Sequence, residues 1–279
     1  RSAPARSRRV RRWPALEIHF AVSQAAPYAA DTPFPTTLLP SSPTFHTPEM
    51  TELIRSLRPT LVIFDNAGRT AQLRAAVECG ARVVWVSSRP RQRRKAFRIG
   101  WMRMLDEHWI AYPAFIAGEL GLFERLKVKL IGSPAVRFLD AILPPADAAL
   151  ATAMMAKHGL TRESYVLVVP GGGTDHPGAE NAPRIVADAA CRIAKRGFTT
   201  LLVGVPASSG GGQPTETHRL HRAPRMPMAE LAELIRGARL VISNGGDTLL
   251  QSIASARPTL AVPIAGDQAH RIARCERGC

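Results

Sequence analysis

Short, almost wholly apolar runs recur along this chain, and they constrain its fold more than any other feature. They are "LEIHFAV" (16–22), "TLVIFD" (60–65), "ARVVWVS" (81–87), "HWIAY" (108–112), "VKLIG" (128–132), "YVLVVP" (165–170), "TTLLVGV" (199–205), "RLVIS" (239–243) and "TLAVPI" (259–264). Strands without polar alternation are expected where a sheet is covered on both faces. Between the runs lie helix-like stretches: "TPEMTELIRSLRP", "RTAQLRAAVECG", "APRIVADAACRIAKRG", "PMAELAELIRGA" and "DTLLQSIASAR". Several end at glycine or just before proline, as helices do. Strand, helix, strand in series predicts parallel sheets flanked by helices. The expected fold class is therefore α/β, with two doubly wound Rossmann-like domains facing a cleft.

The alternation breaks once. From Gly132 to Gly159 the chain carries paired prolines and an alanine-rich helix, and no strand is expected there. Pro144-Pro145 marks the expected boundary, giving domains 1–143 and 144–279. The stretch "ASSGGGQP" (207–214) reads as a flexible loop.

Composition bounds the function classes. At 279 residues, 46% hydrophobic and 21% charged, the chain can bury two cores. No apolar run reaches the roughly 18 residues of a membrane span, and no secretory leader is visible. The four cysteines, Cys79, Cys191, Cys275 and Cys279, form neither a zinc pattern nor a disulfide framework. Reduced thiols in a cytoplasmic protein are the expectation. The net charge of +15 is local: residues 1–12 and the run "RPRQRRKAFRIGWMR" (89–103) supply 13 of those charges. That distribution argues against a nucleic-acid binder. Residues 89–103 read either as a solvated arginine face or as a peripheral contact with an anionic membrane, which would place the protein at the inner face of that membrane.

Three loops of the second half share one design: each follows an apolar strand, where parallel sheets bind ligands. In "VVPGGGTDHPG" (168–178), Gly171, Gly172 and Gly173 let backbone amides approach an anion. The spacing fits neither a dinucleotide fingerprint nor a P-loop. In "ISNGGDTLLQ" (242–251), Gly245 and Gly246 precede a helix whose positive end suits a diphosphate. Gln251 has two readings, a capping-box partner of Thr248 or a hydrogen-bonding group for a sugar hydroxyl. In "VPIAGDQAHR" (262–271), Asp267 either caps the last helix or, with Gln268, grips sugar hydroxyls. No carboxylate-rich metal loop is present, so no metal and no cofactor are expected.

Together, "SNGGDTLLQSIASARPTLAVPIAGDQ" resembles the donor-binding signature of GT-B glycosyltransferases, the group that includes the peptidoglycan UDP-N-acetylglucosamine transferase and the UDP-glucosyl and glucuronosyl transferases. "IGSPAVRFLD" is similar to the run that leaves the N-terminal domain in that family. The resemblance implies a UDP-linked sugar as donor substrate, and a metal-independent, inverting transfer to an acceptor hydroxyl, with a lipid-linked acceptor suggested by residues 89–103. It implies that Gly171, Gly172, Gly173 and Thr174 lie beside the diphosphate or across from the acceptor. Ser243, Asn244, Gly245, Gly246, Asp247 and Thr248 would hold the diphosphate, Gln251 the ribose, and Asp267 and Gln268 the sugar. Arg225 and Met226, in "APRMPM", stand where backbone groups read the uracil. Ser243 replaces a frequent His, and Gln251 replaces Glu.

By the same resemblance the chain is expected to be a fragment lacking the first strand and the last helix, with the catalytic base upstream of Arg1. Within the chain, Asp65 and His176 are the candidates for that base. A nucleotide-sugar hydrolase of the same fold and a non-catalytic nucleotide-binding protein remain the alternatives.

Overall fold

The computed structural model describes residues 16–26, 29, 32, 34–171, 179–205, 218–266 and 268–278. The chain divides into two compact units, residues 1–112 with 119–139, and residues 113–118 with 140–279.

The first unit is built on a parallel four-stranded sheet in the order β3-β4-β5-β6, with β3 Leu61–Asp65, β4 Arg82–Ser87, β5 Glu107–Ile110 and β6 Ala135–Phe138. Strands β1 (Phe20–Ser23) and β2 (Thr36–Leu39) pair in parallel as a separate two-stranded sheet. Helices α1 (Thr47–Leu57) and α2 (Thr70–Glu78) connect into and out of β3, and α3 (Pro90–Ala96) and α4 (Ile99–Met102) follow β4. Phe64, Leu73, Val83, Trp85, Trp101 and Leu105 form the core on one side of the sheet. Trp85 and Trp101 meet edge to face at 5.0 Å, a favoured aromatic geometry.

Helix α5 (Ala114–Ala117) belongs to the second unit, and α6 (Leu122–Ile131) to the first. The second unit contains α7 (Ala148–His158), β7 (Tyr165–Val169), α8 (Ala182–Lys195), β8 (Thr199–Val203), β9 (Leu220–Ala223), α9 (Met228–Gly237), β10 (Leu240–Asn244), α10 (Asp247–Ala254), β11 (Thr259–Val262) and α11 (Gln268–Gly278). Its strands form one parallel sheet in the order β11-β10-β7-β8-β9. The winding therefore reverses between β7 and β10, which is the switch point where such sheets take ligands. Tyr165, Leu167 and Val169 face one core with Leu201, Leu234 and Ile235, whereas Val166 and Val168 face the other with Ala187, Ala190 and Leu202. That two-sided burial is why β7 is apolar throughout.

Three expectations are corrected. "VKLIG" is not a strand: it is the last turn of α6, closed by Gly132 in a left-handed conformation at φ 77°. Its alternation is too short to distinguish strand from helix, and the turn before it already commits the backbone. The strand lies just beyond, at β6, inside the Gly132–Gly159 stretch expected to hold none. Nor is every apolar strand covered on both faces. Leu61 and Ile63 of β3, and Leu260 and Val262 of β11, are half exposed, and both strands are sheet edges.

Candidate functional site

In the second unit Gly171, residues 243–248 and Gln268 lie at the carboxyl edge of the sheet, at the β7/β10 switch point. Strand β10 ends at Asn244, and α10 starts three residues later at Asp247 with Gly246 as its N-cap. No side chain caps this helix. The N-cap, a glycine, has no side chain to offer the first-turn amides as most helix starts do, while the helix dipole adds positive potential at the same place. Thr248 is buried in that turn.

The glycines around the turn are there because neighbours leave no room for a side chain. A Cβ on Gly245 would lie 2.7 Å from Gln268 Cβ and 2.9 Å from the Gln268 carbonyl oxygen. One on Gly246 would lie 2.9 Å from Asn244 Oδ1, and one on Gly171, at φ 129°, would collide with the Asn244 amide. Asn244 is therefore the post around which Gly171 and Gly246 pack.

The amides of both loop glycines are already engaged. Gly246 N–H donates to Asn244 Oδ1 at 3.0 Å, and Gly245 N–H to Gln268 Oε1 at 3.2 Å. Gln268 Oε1 also accepts from Ile264 N–H at 2.9 Å, so one buried side chain ties the β10 loop to the β11 loop. Gln268 Nε2 makes no hydrogen bond to the described residues. Arg271 Nη1 donates to the Gly245 carbonyl at 2.6 Å, and Ile272 packs on Gly245. Sequence reasoning missed Arg271. A helix begun at Gln268 would have put Arg271 and Ile272, at i+3 and i+4, on the same face.

Gln251 is 6% exposed and does not cap α10. The capping-box expectation is corrected: Gln251 Nε2 donates to the Ile142 carbonyl at 3.3 Å, because the N-cap is Gly246 rather than Thr248. The bond to Ile142 fixes the amide orientation, since only nitrogen can donate. Gln251 Oε1 is buried with no hydrogen-bond partner among the described residues. Ser243 is buried and donates to the Asn244 carbonyl at 3.0 Å.

On the other wing, Arg225 lies between β9 and α9 with its Cγ 3.4 Å from where a Gly204 Cβ would stand, and Met226 packs on the core beneath. An open groove of about 430 Å³ runs between Val262–Gly266 and the start of α8. Gly172, Gly173, Thr174, His176 and Asp267 lie outside the described residues.

In the first unit, Asp65 ends β3. Partial burial raises its carboxyl pKa above the ordinary value, and a 2.7 Å hydrogen bond from Asn66 Nδ2 works against that rise. The apolar residues of 89–103 mostly turn inward: Phe97, Trp101 and Met102 are buried, and Ile99 is exposed. Among the described residues no group of three or more His, Cys, Asp or Glu could hold a metal ion, and no helix is long and apolar enough to cross a membrane. Cys79, Cys191 and Cys275 form no disulfide among the described residues.

No protein-family model matches the chain, and no curated protein matches it. Among solved structures it is similar to the Glycyrrhiza uralensis protein UGT73P12 complexed with glycyrrhetinic acid 3-O-monoglucuronide, at 12% identity and TM-score 0.56, covering 83% of this chain and 60% of that one. It is similar to a UDP-glucosyltransferase from Polygonum tinctorium capable of glucosylating indoxyl, at 11% identity and TM-score 0.58, covering 95% and 84%. It is also similar to a ugt transferase from Siraitia grosvenorii in complex with UDP, at 11% identity and TM-score 0.53, covering 94% and 78%. At these identities the likeness establishes the fold: GT-B glycosyltransferase-like, with two Rossmann-like domains.

Proposed function

We propose that this chain transfers a sugar from a UDP-linked donor to an acceptor hydroxyl, with inversion at the anomeric carbon and with fixed protein dipoles, not a metal, meeting the diphosphate. The observation that carries this reading is the start of α10, a helix without a side-chain cap at the sheet's switch point. The helix dipole and the first-turn amides, which Gly246 offers no side-chain cap, stabilise negative charge growing on a leaving diphosphate. The unpaired Gln251 Oε1 suits a ribose hydroxyl, which can donate to it. The Siraitia grosvenorii structure of similar fold is in complex with UDP.

In the proposed reaction the acceptor oxygen bonds to the anomeric carbon from the face opposite UDP. The bond to the diphosphate oxygen breaks, and its electron pair leaves with UDP. A base takes the acceptor proton. Asp65 is the base candidate among the described residues, and its raised pKa favours proton uptake. Asp267 and the Nε2 of Gln268, which makes no hydrogen bond to the described residues, are assigned to the sugar hydroxyls, and Arg225 and Met226 to the base edge. Arg271 is a positioning residue: it fixes the Gly245 carbonyl, and through it the path into α10. The cationic run 89–103 favours an anionic acceptor, a lipid-linked one included, by charge more than by apolar insertion.

Titration calorimetry with UDP tests the site, and NMR of the product anomer tests the transfer. Saturable UDP binding with acceptor-dependent UDP release is the expected result. Release of free sugar without an acceptor would make the protein a hydrolase, and binding without turnover would make it a nucleotide-binding protein. Absence of binding at millimolar UDP defeats the reading outright.

A further inference from the structure

A cavity of about 470 Å³ in the first unit is lined by Arg69, Arg91, Arg94, Lys95 and Arg98, with no acidic residue among them. Its volume falls in the range of small-molecule sites. Arg91, Arg94 and Lys95 sit at i, i+3 and i+4 on one face of α3, and Arg98 lies in the turn after it. Arg69 comes from the loop between β3 and α2. The two loops are locked together. Asn66 Oδ1 accepts from Ser88 N–H at 2.8 Å and from Ser88 Oγ at 3.0 Å, and Asn66 N–H donates to the Val86 carbonyl at 3.0 Å.

Two of the cations are held in place. Arg69 Nε donates to the Thr44 carbonyl at 3.3 Å, and its guanidinium stands 5.9 Å from the centre of the Phe45 ring. Lys95 Nζ stands 5.6 Å from the Trp101 ring centre, and Trp101 Nε1 is pinned by Thr70 Oγ1 at 3.1 Å. Elsewhere in this unit several arginines are paired with carboxylates. Arg93, on the same helix as Arg91 and Arg94, pairs with Glu124 at 2.6 Å, while Arg82 and Arg137 share Glu107. None of the five cavity cations forms an ion pair with a described residue. Their crowding is felt by Lys95, whose pKa is lowered first by burial and then by Arg69, Arg91 and Arg98.

Five like charges gathered around one concavity repel one another unless an anion joins them. We infer that this cavity binds a phosphate-dense group, a diphosphate or an equally charged phosphate cluster, by charge-assisted hydrogen bonds from Arg69, Arg91, Arg94, Lys95 and Arg98. The group is presented either by a soluble molecule or by a lipid headgroup. This assignment is independent of the donor site in the second unit.

The test is calorimetric titration of the intact protein with inorganic pyrophosphate at low ionic strength, alongside sedimentation with phosphatidylcholine vesicles containing phosphatidic acid. The expected result is saturable pyrophosphate binding in which, beside that of the proposed diphosphate site in the second unit, one equivalent per chain belongs to this cavity. Arg91→Gln with Arg94→Gln should weaken it at least tenfold. Arg89→Gln with Arg103→Gln, which removes the same charge from the same run outside the cavity, should change it less than twofold. Thermal unfolding confirms that both double variants fold, since all four side chains are exposed. Pyrophosphate binding without vesicle binding assigns a soluble ligand. Vesicle binding that pyrophosphate displaces, and that Arg91→Gln/Arg94→Gln removes, assigns a headgroup. Equal weakening in the two double variants, or vesicle binding with no pyrophosphate binding, overturns the inference in favour of a diffuse basic surface. UDP titrated into the same variants should bind as in the parent protein, which separates this result from the donor site.

Discussion

Gln268 Oε1 accepts the Gly245 N–H at 3.2 Å, and through this contact the first turn of α11 supports the loop that opens α10. With Ile264 N–H on the same oxygen, both lone pairs are spent. Gln268→Leu should leave two buried amides without acceptors, at a cost of about 1–3 kcal/mol for each one that water does not reach. Gln268→Glu keeps the acceptors but brings a negative charge beside the proposed diphosphate site. The expected outcome is a lowered Tm for Gln268→Leu. For Gln268→Glu it is a near-parental Tm with UDP affinity reduced at least tenfold. Thermal unfolding and UDP calorimetry read the two effects separately.

Gly245 should tolerate no side chain. A Cβ there meets Gln268 Cβ at 2.7 Å and its backbone oxygen at 2.9 Å, and backbone cannot swing aside. Gly245→Ala is expected to cost about 1–3 kcal/mol, the usual range for overpacking, and to displace α11. Gly266 has nothing within 4 Å of a Cβ, so Gly266→Ala should shift the urea midpoint little. Equal effects at the two positions would show that Gly245 is not a tight packing point.

How legible all this was in the sequence depended on which signals had one physical meaning. The strands β4, β7, β8 and β10 were readable because an apolar run of five or six residues between helix signals is too short for a helix and too greasy for a loop. Strand β9, "LHRA", was not, since it lies at a sheet edge with Arg222 exposed and carries no apolar run. "VKLIG" misled because a helix end and a strand look alike over five residues. At the candidate site, glycines and strand-end positions were visible, but hydrogen-bond partners were not. Gly245 and Gly246 read as bare amides, yet Gln268 and Asn244 occupy them. The uncapped start of α10 and the unpaired Gln251 oxygen are three-dimensional facts with no signature in the residue order.

Gln251 separates stability from binding. Its Nε2 makes one long bond to Ile142, and its Oε1 is buried and unpaired. Gln251→Met deletes both groups at similar volume. Losing a weak bond costs about 0.5–1.5 kcal/mol, and relieving an unsatisfied acceptor returns a comparable amount. The net change in stability should therefore lie within about 1 kcal/mol, while UDP affinity falls at least tenfold if the oxygen meets the ribose. An unchanged UDP affinity in a folded Gln251→Met protein would remove Gln251 from the donor site.

His108 should make the first unit sensitive to mild acid. It is fully buried on β5 with Nε2 2.7 Å from Ser87 Oγ, its ring set edge to face against Phe97 at 5.2 Å, and its Nδ1 unpaired. Burial lowers its pKa from 6.5 to about 4, with Arg93 pushing the same way and Glu124 opposing. A depressed histidine pKa means that the unfolded chain binds a proton between pH 6.5 and 4 while the folded chain does not. Stability is therefore greatest above pH 6.5 and falls as the pH drops towards 4, below which this residue adds no further loss. The full effect is about 3 kcal/mol over that interval. His108→Gln places a neutral amide where it can still reach Ser87, and it cannot titrate. Urea midpoints measured from about pH 7.5 to about 4.5, a span that brackets most of this transition, should fall more steeply for the parent protein than for His108→Gln. Parallel curves would mean that the imidazole takes up its proton as readily folded as unfolded, and a buried, neutral His108 would be wrong.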